Sequence, residues 1–357
     1  MNKKALVAMS GGVDSSVTAL LMKEQGYDCM GVTMKLFNNE GYETGEKTCC
    51  SLDDVEDARS VAYSLGMQYN VFNFSDKFSE CVIDKFVEAY ENGRTPNPCI
   101  DCNRYLKFDK LFLRARELGY DYIATGHYAR IEYSEEKGRY ILKKAEDLSK
   151  DQSYVLYSLT QEQLAHTVFP LGTLTKSEVR KIADENGFVN AKKHDSQDIC
   201  FVINEKYSDF IERYTGKKYP EGNFVDKNGN VLGRHKGIIC YTVGQRKGLG
   251  LALPHPMYVI RVDTENNTVV LGENEDLFSR EVIAENINLI SVDDIYEPMR
   301  VKAKVRYSQP EQWATAVQVG EDKIKLVFDE PQRAITQGQA LVMYDGDTVV
   351  GGGTIRK

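Results

Sequence analysis

A glycine-rich segment at residues 10–16, Ser-Gly-Gly-Val-Asp-Ser-Ser, most constrains the fold of this chain, because it directly follows the apolar run at residues 5–9. This order predicts a strand, a sharp turn and then a helix over residues 13–25. Glycines let the backbone approach a ligand closely, and the N–H groups at a helix start bind anions. No Gly-Lys-Ser/Thr ends the segment, so it is not a Walker A sequence. We predict a phosphate-binding loop; the alternative is an ordinary turn with a serine cap on the helix.

Composition predicts a soluble protein of more than one domain. The 357 residues suffice for two or three domains, and the hydrophobic fraction of 42% and charged fraction of 27% are typical of globular proteins. No apolar run has the length of a membrane span and residues 1–20 show no secretory signal, so we expect a cytoplasmic protein with no membrane partner. The net charge of −8 argues against DNA coating but leaves local RNA-binding patches open.

Strand and helix patterns alternate over the first part of the chain. We predict strands at residues 4–9, 29–34, 69–74 and 122–125, and helices at residues 13–25, 53–65, 77–92, 105–118 and 176–186. Such alternation predicts an α/β fold, in which helices cover both faces of a parallel sheet. Ligands of such sheets bind at the carboxyl ends of the strands, which is where the glycine-rich loop falls.

The pattern changes after about residue 205. A hairpin with an Asn-Gly turn is predicted at residues 224–231, and two further strands at residues 258–263 and 268–272. Short strands then dominate, at residues 301–307, 314–319, 323–328 and 340–344. We predict three domains: an α/β domain at residues 1–205, a small middle domain at residues 206–280 and a C-terminal β-barrel at residues 281–357.

Cysteines form the second group of candidate functional residues. The chain has eight, and without a signal peptide they are more often reduced, catalytic or metal-bound than disulfide-bonded. Cys99 and Cys102 form a C-x-x-C in a loop that contains Pro96 and Pro98, ahead of a helix predicted to open at residue 104. Cys102 would then lie near a helix start, where the dipole lowers the pKa of a thiol.

The other cysteines allow several interpretations. Cys200 closes the α/β part shortly after His194, and these two could complete a mixed zinc site with the C-x-x-C pair. The adjacent Cys49 and Cys50 would chelate one metal poorly, and we interpret them as loop residues. Three more lie in apolar strand or helix patterns and are predicted to be core residues: Cys29, Cys81 and Cys240.

Six motifs occur in order along essentially the whole chain. They are residues 10–16, residues 97–103, Ala124-Thr125-Gly126-His127-Tyr128, Lys150-Asp151-Gln152-Ser153-Tyr154, residues 195–201 and Gly244-Gln245-Arg246-Lys247-Gly248-Leu249-Gly250. Together they resemble the bacterial tRNA-specific 2-thiouridylases, which are PP-loop ATP pyrophosphatases. The resemblance implies a PP-loop (adenine nucleotide alpha hydrolase-like) domain at the N-terminus.

The resemblance also implies an activity, the replacement by sulfur of the C2 oxygen of the wobble uridine in tRNAs for lysine, glutamate and glutamine. ATP would adenylate that poor leaving group, with release of pyrophosphate and then AMP. Asp14 would support Mg²⁺, or alternatively only cap the helix. The positions that match nucleotide contacts of the family are Ala8, Met9, Ser10, Gly11, Gly12, Val13, Asp14, Ser15, Ser16, Met34 and Gly126.

For sulfur delivery, the resemblance implies Cys200 as persulfide carrier and Cys102 as the second catalytic cysteine, with release by thiol exchange. The better-known members carry Asp where this chain has Cys99, so a candidate acid or base is missing here. Three thiols could instead hold a 4Fe–4S cluster with one open iron that binds hydrosulfide. A persulfide route, with Cys99 as spectator, and a cluster route on Cys99, Cys102 and Cys200 both stay open.

Contacts with tRNA are a further implication of the resemblance. The wobble base has to leave the anticodon stack, and Asn97, Pro98 and Cys99 are expected to contact it. His127 would face the tRNA, or alternatively be a packed histidine, and residues 150–152 would read tRNA or form a plain polar turn. The remaining implied contacts are Lys150, Asp151, Gln152, Arg306, Tyr307 and Gln339.

Two basic segments are candidates for phosphate contacts. Four cations alternate with apolar residues, so a strand would place them on one face; they are Arg300, Lys302, Lys304 and Arg306. The alternative is a solvated strand face, since lysine and arginine also protect exposed strands. The second segment, between glycines, is Gln245, Arg246 and Lys247.

Rival functions share parts of this pattern. One is another PP-loop adenylating enzyme: a sulfurtransferase for a different tRNA position, a lysidine synthetase or an amide-forming synthetase, although no glutaminase part is recognisable. Another is a non-catalytic, metal-dependent RNA-binding protein, which would leave the phosphate loop without a use. A cysteine desulfurase or a sulfur-relay protein is the expected partner. The polar loop at residues 38–48 is expected to be a lid or disordered.

Overall fold

The computed structural model describes residues 3–37, 52–193 and 199–356; the loop at residues 38–48 lies outside them. The α/β part contains β1 (Lys4–Ala8), α1 (Val13–Glu24), β2 (Asp28–Lys35), α2 (Leu52–Ser64), β3 (Gln68–Asn73), α3 (Ser75–Phe78), α4 (Asp84–Glu91), α5 (Pro98–Cys102), α6 (Leu111–Glu117), β4 (Tyr122–Ala124), β5 (Ala129–Ser134), β6 (Arg139–Lys144), α7 (Ser153–Leu156), α8 (Gln161–Ala165), β7 (Thr167–Val168) and α9 (Lys176–Glu185).

Five strands form the predicted parallel sheet, in the order β3-β2-β1-β4-β7. The central strand β1 is apolar on both faces: Leu6 packs into one hydrophobic cluster, whereas Ala5 and Val7 pack into another, and all three are 0% exposed. A strand buried on both sides is typical of a parallel sheet between two helical layers. The four predicted strands and three of the predicted helices are confirmed, with ends shifted by one residue at most.

Two predicted helices differ from the structure. The helix predicted at residues 77–92 consists of α3, a π-helical segment (Ser79–Ile83) and α4. The helix predicted at residues 105–118 begins earlier, in α5, and continues through a π-helical segment (Asn103–Lys110) into α6. Its early start has a local cause, because Asn97 caps the first turn and the fixed φ of Pro98 suits a first helical position.

The middle region consists of α10 (Tyr207–Thr215) and a four-stranded sheet. Its strands are β8 (Gly222–Val225), β9 (Val231–His235), β10 (Tyr258–Asp263) and β11 (Thr268–Gly272), in the order β10-β11-β8-β9. The predicted Asn-Gly hairpin joins β8 to β9: Gly229 has a φ of +85°, and the Asp226 carboxylate accepts the N–H groups of Asn228 and Asn230 at 2.8 and 2.9 Å.

The last region is the predicted β-barrel. It contains β12 (Phe278–Leu289), β13 (Met299–Lys304), β14 (Gln312–Gly320), β15 (Lys323–Arg333), β16 (Ala340–Asp345) and β17 (Thr348–Ile355). These six strands follow the order β12-β15-β14-β13-β16-β17, and pairing of β12 with β17 closes the barrel. The strand predicted to reach residue 307 ends at Lys304, so Arg306 and Tyr307 lie in the loop between β13 and β14.

The barrel is joined to the α/β part by a hairpin that sequence patterns did not predict. This hairpin, β5–β6, leaves the α/β part after β4 and adds to the barrel sheet, with Lys143 of β6 paired with Thr348 of β17. Within the described ranges, no helix has the length and hydropathy needed to cross a bilayer.

Candidate functional site

The glycine-rich loop connects the carboxyl end of β1 to the start of α1. Gly12 precedes the helix and no side chain caps it, so the serine-cap alternative is wrong. The Ser15 hydroxyl instead works inside the loop: it donates to the Gly12 carbonyl at 2.9 Å and accepts the N–H of Ser10 at 3.2 Å. The start of α1 therefore keeps the uncapped backbone N–H groups that an anion site uses.

Two glycines are required by close backbone contacts around this loop. Gly11 has a φ of +76°, and any Cβ there would overlap the carbonyl of Asp54. Gly126 follows β4, and a Cβ there would lie 3.0–3.1 Å from backbone and Cβ atoms of Asp14 and Ser15. Larger side chains at either position would displace the loop from the sheet.

Asp14 is held by Lys176, which no sequence pattern singles out, and by Tyr128, the last residue of the motif at residues 124–128. Lys176, at the start of α9, donates to both carboxylate oxygens at 2.7 and 2.8 Å. The Tyr128 hydroxyl donates to Oδ1 at 2.8 Å. The carboxylate does not cap α1, so the capping alternative for Asp14 is wrong. Lys176 lies 162 residues away in sequence, and no local pattern connects the two.

The other side of the loop is held by the segment after α9. The Asn190 amide donates to the Gly11 carbonyl and to the Ser16 hydroxyl, both at 2.9 Å. Lys193 donates to the carboxylates of Asp54 and Asp57 at 2.6 and 2.8 Å. The loop is thus fixed from both sides before any ligand binds, which reduces the entropy lost on binding.

A cavity of about 340 Å³ opens beside the loop and combines residues from distant motifs. We divide its lining residues into two groups, and the first, the phosphate wall, contains predicted nucleotide contacts: Ala8, Met9, Ser10, Asp14, Ser15, Met34 and Gly126. The second group, the thiol wall, contains predicted tRNA contacts and all three candidate thiols: Pro98, Cys99, Cys102, His127, Gln152 and Cys200. Four predicted nucleotide contacts belong to the loop without lining this cavity: Gly11, Gly12, Val13 and Ser16.

The C-x-x-C pair occupies α5 in an unexpected position. Asn97 accepts the N–H of Cys99 at 3.2 Å and so caps the helix. Cys99 therefore lies in the first turn, and Cys102 is the last residue of α5. Cys102 was predicted just ahead of a helix start, whereas it is the fifth residue of the helix that continues into α6, and the helix dipole acts most strongly near Cys99. Cys99 is exposed and Cys102 is 8% exposed.

Cys200 reaches the same cavity because an aromatic anchor follows it. The Phe201 ring is 2% exposed and packs against Phe78, Phe86 and Phe210 with ring centroids 5.1–5.7 Å apart. This packing fixes the backbone beside the half-buried thiol. Of the predicted core cysteines, Cys29 is buried, whereas Cys81 and Cys240 lie at the edge of this aromatic cluster.

The described residues contain no site for a single metal ion on the cysteines. Among residues 3–37, 52–193 and 199–356, no group of three or more His, Cys, Asp or Glu side chains is arranged to hold a metal ion. Cys99, Cys102 and Cys200 line one cavity without forming such a group around a single ion. The thiols of a 4Fe–4S cluster bind different irons and lie farther apart, so the persulfide route and the cluster route both stay predictions. His194, Cys49 and Cys50 lie outside the described residues. The mixed zinc site that includes His194 therefore stays a prediction.

His127 is both packed and part of the cavity wall. It is 8% exposed, its Nδ1 lies 2.7 Å from the Thr125 hydroxyl, and its ring packs near Phe108 and Phe169. Burial, with a smaller contribution from the Lys107 charge, holds the pKa of His127 well below its usual value. The imidazole is therefore neutral at physiological pH and can act as a hydrogen-bond partner in the cavity.

Asp151 and Gln152, which were predicted to contact tRNA, make hydrogen bonds within the protein. The Asp151 carboxylate accepts the N–H groups of Ala145 and Ser153, both at 3.1 Å, as in a polar turn. Gln152 and Tyr128 exchange two hydrogen bonds at 2.9 and 3.0 Å. The neighbouring Lys150 is half-buried.

The predicted contacts on the barrel link it to the rest of the chain. The Gln339 amide donates to the carbonyls of Thr95 and Pro96 at 2.9 and 3.2 Å. The Tyr307 hydroxyl donates to the Asp151 carbonyl at 3.1 Å. Arg306 donates to protein oxygens from several loops: Ala334 at 2.8 Å, Thr336 at 2.7 Å and Val243 at 3.3 Å. Contact with tRNA stays a prediction for all three.

Period-two alternation in β13 is confirmed. Val301 and Ala303 are each 1% exposed, so Arg300, Lys302 and Lys304 share the outer face of the strand. The prediction is wrong for Arg306, because β13 ends at Lys304 and Arg306 lies in the following loop, where it bonds to protein oxygens. Strand β13 has a neighbour on each side, and its cations therefore do not protect an edge. Arg300 makes two hydrogen bonds of 2.8 Å to Asp329. In the other basic segment, Arg246 and Lys247 are exposed and Gln245 is half-buried.

Comparison with known proteins covers the whole chain. Three family models match: a tRNA methyl transferase HUP domain at residues 3–204, a tRNA methyl transferase PRC-barrel domain at residues 208–273 and an aminomethyltransferase beta-barrel domain at residues 279–355. The chain is 56% identical to the tRNA-specific 2-thiouridylase MnmA of Clostridioides difficile (strain 630), over 100% of this chain and 99% of that protein.

Two further relatives carry the same name. The protein of Acetivibrio thermocellus is 54% identical over 99% of both chains, and that of Clostridium acetobutylicum is 53% identical over 100% of both. Such identity over full length, together with a loop and thiols in one cavity, establishes the family. This chain belongs to the tRNA-specific 2-thiouridylases.

Proposed function

We propose that this protein is a tRNA-uridine 2-sulfurtransferase that uses ATP to replace the C2 oxygen of a wobble uridine with sulfur. The observation that carries the proposal is the shared cavity, in which the loop residues Ser10 and Asp14 face the same space as Cys102 and Cys200. Activation of an oxygen and delivery of a sulfur have to occur at one carbon, so their machinery has to meet at one place.

In the first step, the uridine O2 attacks the α-phosphorus of ATP and pyrophosphate leaves. The uncapped start of α1 and the Ser10 hydroxyl would hold the phosphates. Asp14 supplies a carboxylate to the cavity wall, the oxygen ligand that Mg²⁺ prefers, and would hold this ion alongside the hydrogen bonds it accepts from Lys176 and Tyr128. When bound there, Mg²⁺ would shield the phosphate charge. Lys176 balances the negative charge of Asp14, so the loop does not repel the negatively charged phosphates of ATP.

In the second step, the terminal sulfur of a Cys200 persulfide attacks C2, and AMP leaves. The Cys102 thiolate then attacks Cys200 Sγ, the S–S bond to the transferred sulfur breaks, and 2-thiouridine departs. The product is a Cys102–Cys200 disulfide, which a dithiol reductant returns to two thiols. No step needs Cys99, which we assign as a spectator. The Lys107 ammonium lines the same cavity and would favour the thiolates.

The substrates are proposed to be the tRNAs for lysine, glutamate and glutamine, in the cytoplasm, with a cysteine desulfurase or a sulfur-relay protein as donor. The wobble base would leave the anticodon stack and enter the cavity, between the phosphate loop and Pro98. We propose residues 1–205 as the catalytic domain, residues 206–280 as the adaptor and residues 281–357 as the barrel that contacts tRNA.

The test is an anaerobic preparation on which iron, acid-labile sulfide, AMP formation and tRNA thiolation are measured together. We expect a colourless protein that forms AMP only when tRNA is present and thiolates the wobble uridine from a persulfide donor. AMP formation without tRNA thiolation would indicate another adenylating enzyme. The absence of both AMP formation and tRNA thiolation would indicate a binding protein. About four irons per chain, with thiolation lost when they are removed, would replace the persulfide route by the cluster route.

A further inference from the structure

The barrel carries an exposed tryptophan whose position the proposed chemistry does not explain. Trp313 is the single tryptophan of the chain, and 51% of its surface is exposed. It lies on β14, directly opposite Lys302 of β13. Its neighbours Ala314 and Ala316 are buried in the barrel core. The large Trp313 ring therefore projects from a barrel strand into solvent, an arrangement that is common in binding surfaces.

Two cations flank the Trp313 ring. The guanidinium carbon of Arg300 lies 5.3 Å from the ring centroid and Lys302 Nζ lies 5.1 Å from it. Arg300 is fixed by its paired hydrogen bonds to Asp329 and by a 3.2 Å hydrogen bond to the Thr315 hydroxyl. Because Asp329 offsets the charge of Arg300, a phosphate would be attracted more strongly to Lys302.

The same face leads from Trp313 to the cavity with the thiols. Next along β13, Lys304 Nζ lies 5.6 Å from the ring of Tyr307, which is 43% exposed. The Tyr307 hydroxyl donates to the carbonyl of Asp151, and the next residue, Gln152, lines the cavity. Aromatic rings and cations thus alternate from the barrel wall to the cavity, the pattern of surfaces that bind unpaired nucleotides.

We propose that Trp313, with Lys302 and Arg300, forms a stacking subsite for an unpaired nucleotide of the tRNA, outside the cavity that receives the wobble base. This inference rests on the proposed function, because it assumes a tRNA in that cavity. A nucleobase stacks on the exposed face of the indole, and the neighbouring phosphate meets Lys302. A protein partner is the competing occupant; the flanking cations and the continuity with the cavity favour RNA.

The single tryptophan makes the test direct, because all indole emission of the full-length protein reports on this site. Unmodified tRNA is titrated into the protein, and emission is recorded beside an independent binding measurement such as filter retention. We expect the emission to change with the same midpoint as binding. Trp313→Ala should weaken tRNA binding by about 5-fold to 100-fold, and Trp313→Phe, which keeps a stacking face, by much less. Tyr296→Ala, another exposed barrel aromatic (60%), should bind normally.

Separate readouts distinguish this inference from the proposed function. Thiolation by the wild type with unchanged emission, and normal tRNA affinity of Trp313→Ala, would overturn the subsite while the function stands. Emission that responds to a purified cysteine desulfurase and not to tRNA would overturn it in favour of a protein partner. An emission change and weaker binding by Trp313→Ala, in a protein that does not thiolate tRNA, would support the RNA subsite and reject the proposed activity.

Discussion

The two walls of the cavity are built in different ways. The phosphate wall comes mainly from one short stretch, β1, the loop and the start of α1, whose serines and glycines bond to one another. The thiol wall is assembled from residues far apart in sequence, Cys99 and Cys102 on α5 and Cys200 beyond α9. Local sequence is therefore sufficient to recognise the first wall, whereas the second depends on how distant segments pack.

The barrel takes part in this packing on the thiol side. Besides Gln339, the backbone of Gln337 accepts the N–H of Thr95 at 2.9 Å, and Gly338 lies so close to Arg94 and Thr95 that an added Cβ would be 3.1–3.2 Å from them. The loop that precedes Cys99 is thus held by the domain that would bind tRNA. The phosphate wall is held instead by Lys176 and Asn190 of the α/β part.

Removing one thiol at a time distinguishes the function of the thiol wall from that of the phosphate wall. Cys102→Ser and Cys200→Ser should each reduce tRNA thiolation on the order of 10³-fold or more, because each removes a nucleophile of the sulfur step. Both variants should still catalyse tRNA-dependent exchange between pyrophosphate and ATP, since adenylation needs the other wall. The measurements are quantitation of 2-thiouridine in digested tRNA and incorporation of labelled pyrophosphate.

Cys99→Ala is the matched control, as its thiol lines the same cavity. We expect it to keep most of the thiolation activity. Inactivity of Cys99→Ala equal to that of the other two would contradict the spectator role and restore the three-cysteine alternative.

Lys176 tests the phosphate wall. Lys176→Met should lower kcat/KM for ATP by about 10-fold to 100-fold, because the Asp14 carboxylate would then face the phosphates without its counter-charge. Lys176→Arg should recover part of the loss. Binding of an ATP analogue, followed by calorimetry, separates a loss of affinity from a loss of turnover.

The control for Lys176 lies on the same helix. Lys181 is exposed and pairs with Glu185, so Lys181→Met should leave ATP affinity unchanged. Equal ATP affinities for Lys176→Met and the wild type would show that Lys176 only supports the fold, which thermal unfolding of both variants would reveal.

Gln339 tests the link between barrel and thiol wall. Gln339→Leu removes two hydrogen bonds to the loop before Cys99, and we expect kcat/KM for tRNA to fall by about 3-fold to 10-fold. Affinity for ATP should not change, since the phosphate wall is held elsewhere. Gln318→Leu, which alters an amide bonded within the barrel, serves as control. A matching loss of ATP affinity in Gln339→Leu would mean that the two walls are not independent.

The limits of prediction from sequence follow the same division. The strand, turn and helix around residues 10–16 were predictable because their signals are local. Lys176 was not, because its pairing with Asp14 spans 162 positions. The attachment of the β5–β6 hairpin to the barrel was not predictable for a similar reason, since its partner β17 lies near the other end of the chain. The helix starts earlier than predicted because Pro98 occupies its first turn, a position that suits the fixed φ of proline although proline is also typical of loops.

The smallest expected effect concerns the pH dependence of stability, and it tests whether His127 belongs to the packed interior as well as to the cavity. Burial lowers the pKa of His127 in the folded protein, whereas the unfolded chain has an ordinary value near 6.5. Below about pH 6.5 the unfolded state therefore binds a proton that the folded state does not, and the free energy of unfolding falls as the pH falls.

His127→Gln keeps a neutral polar side chain but removes this proton. Between pH 6.5 and 5.5, the free energy of unfolding of the wild type should therefore fall relative to that of the variant, by at most about 1.4 kcal/mol per pH unit. Urea unfolding at several pH values measures the difference. His255, which is exposed beside Glu273, is the control site, and His255→Gln should not reproduce the effect. Parallel pH profiles for His127→Gln and the wild type would contradict a buried, neutral imidazole, and would place His127 with the solvated groups that meet tRNA rather than with the aromatic rings that pack around it.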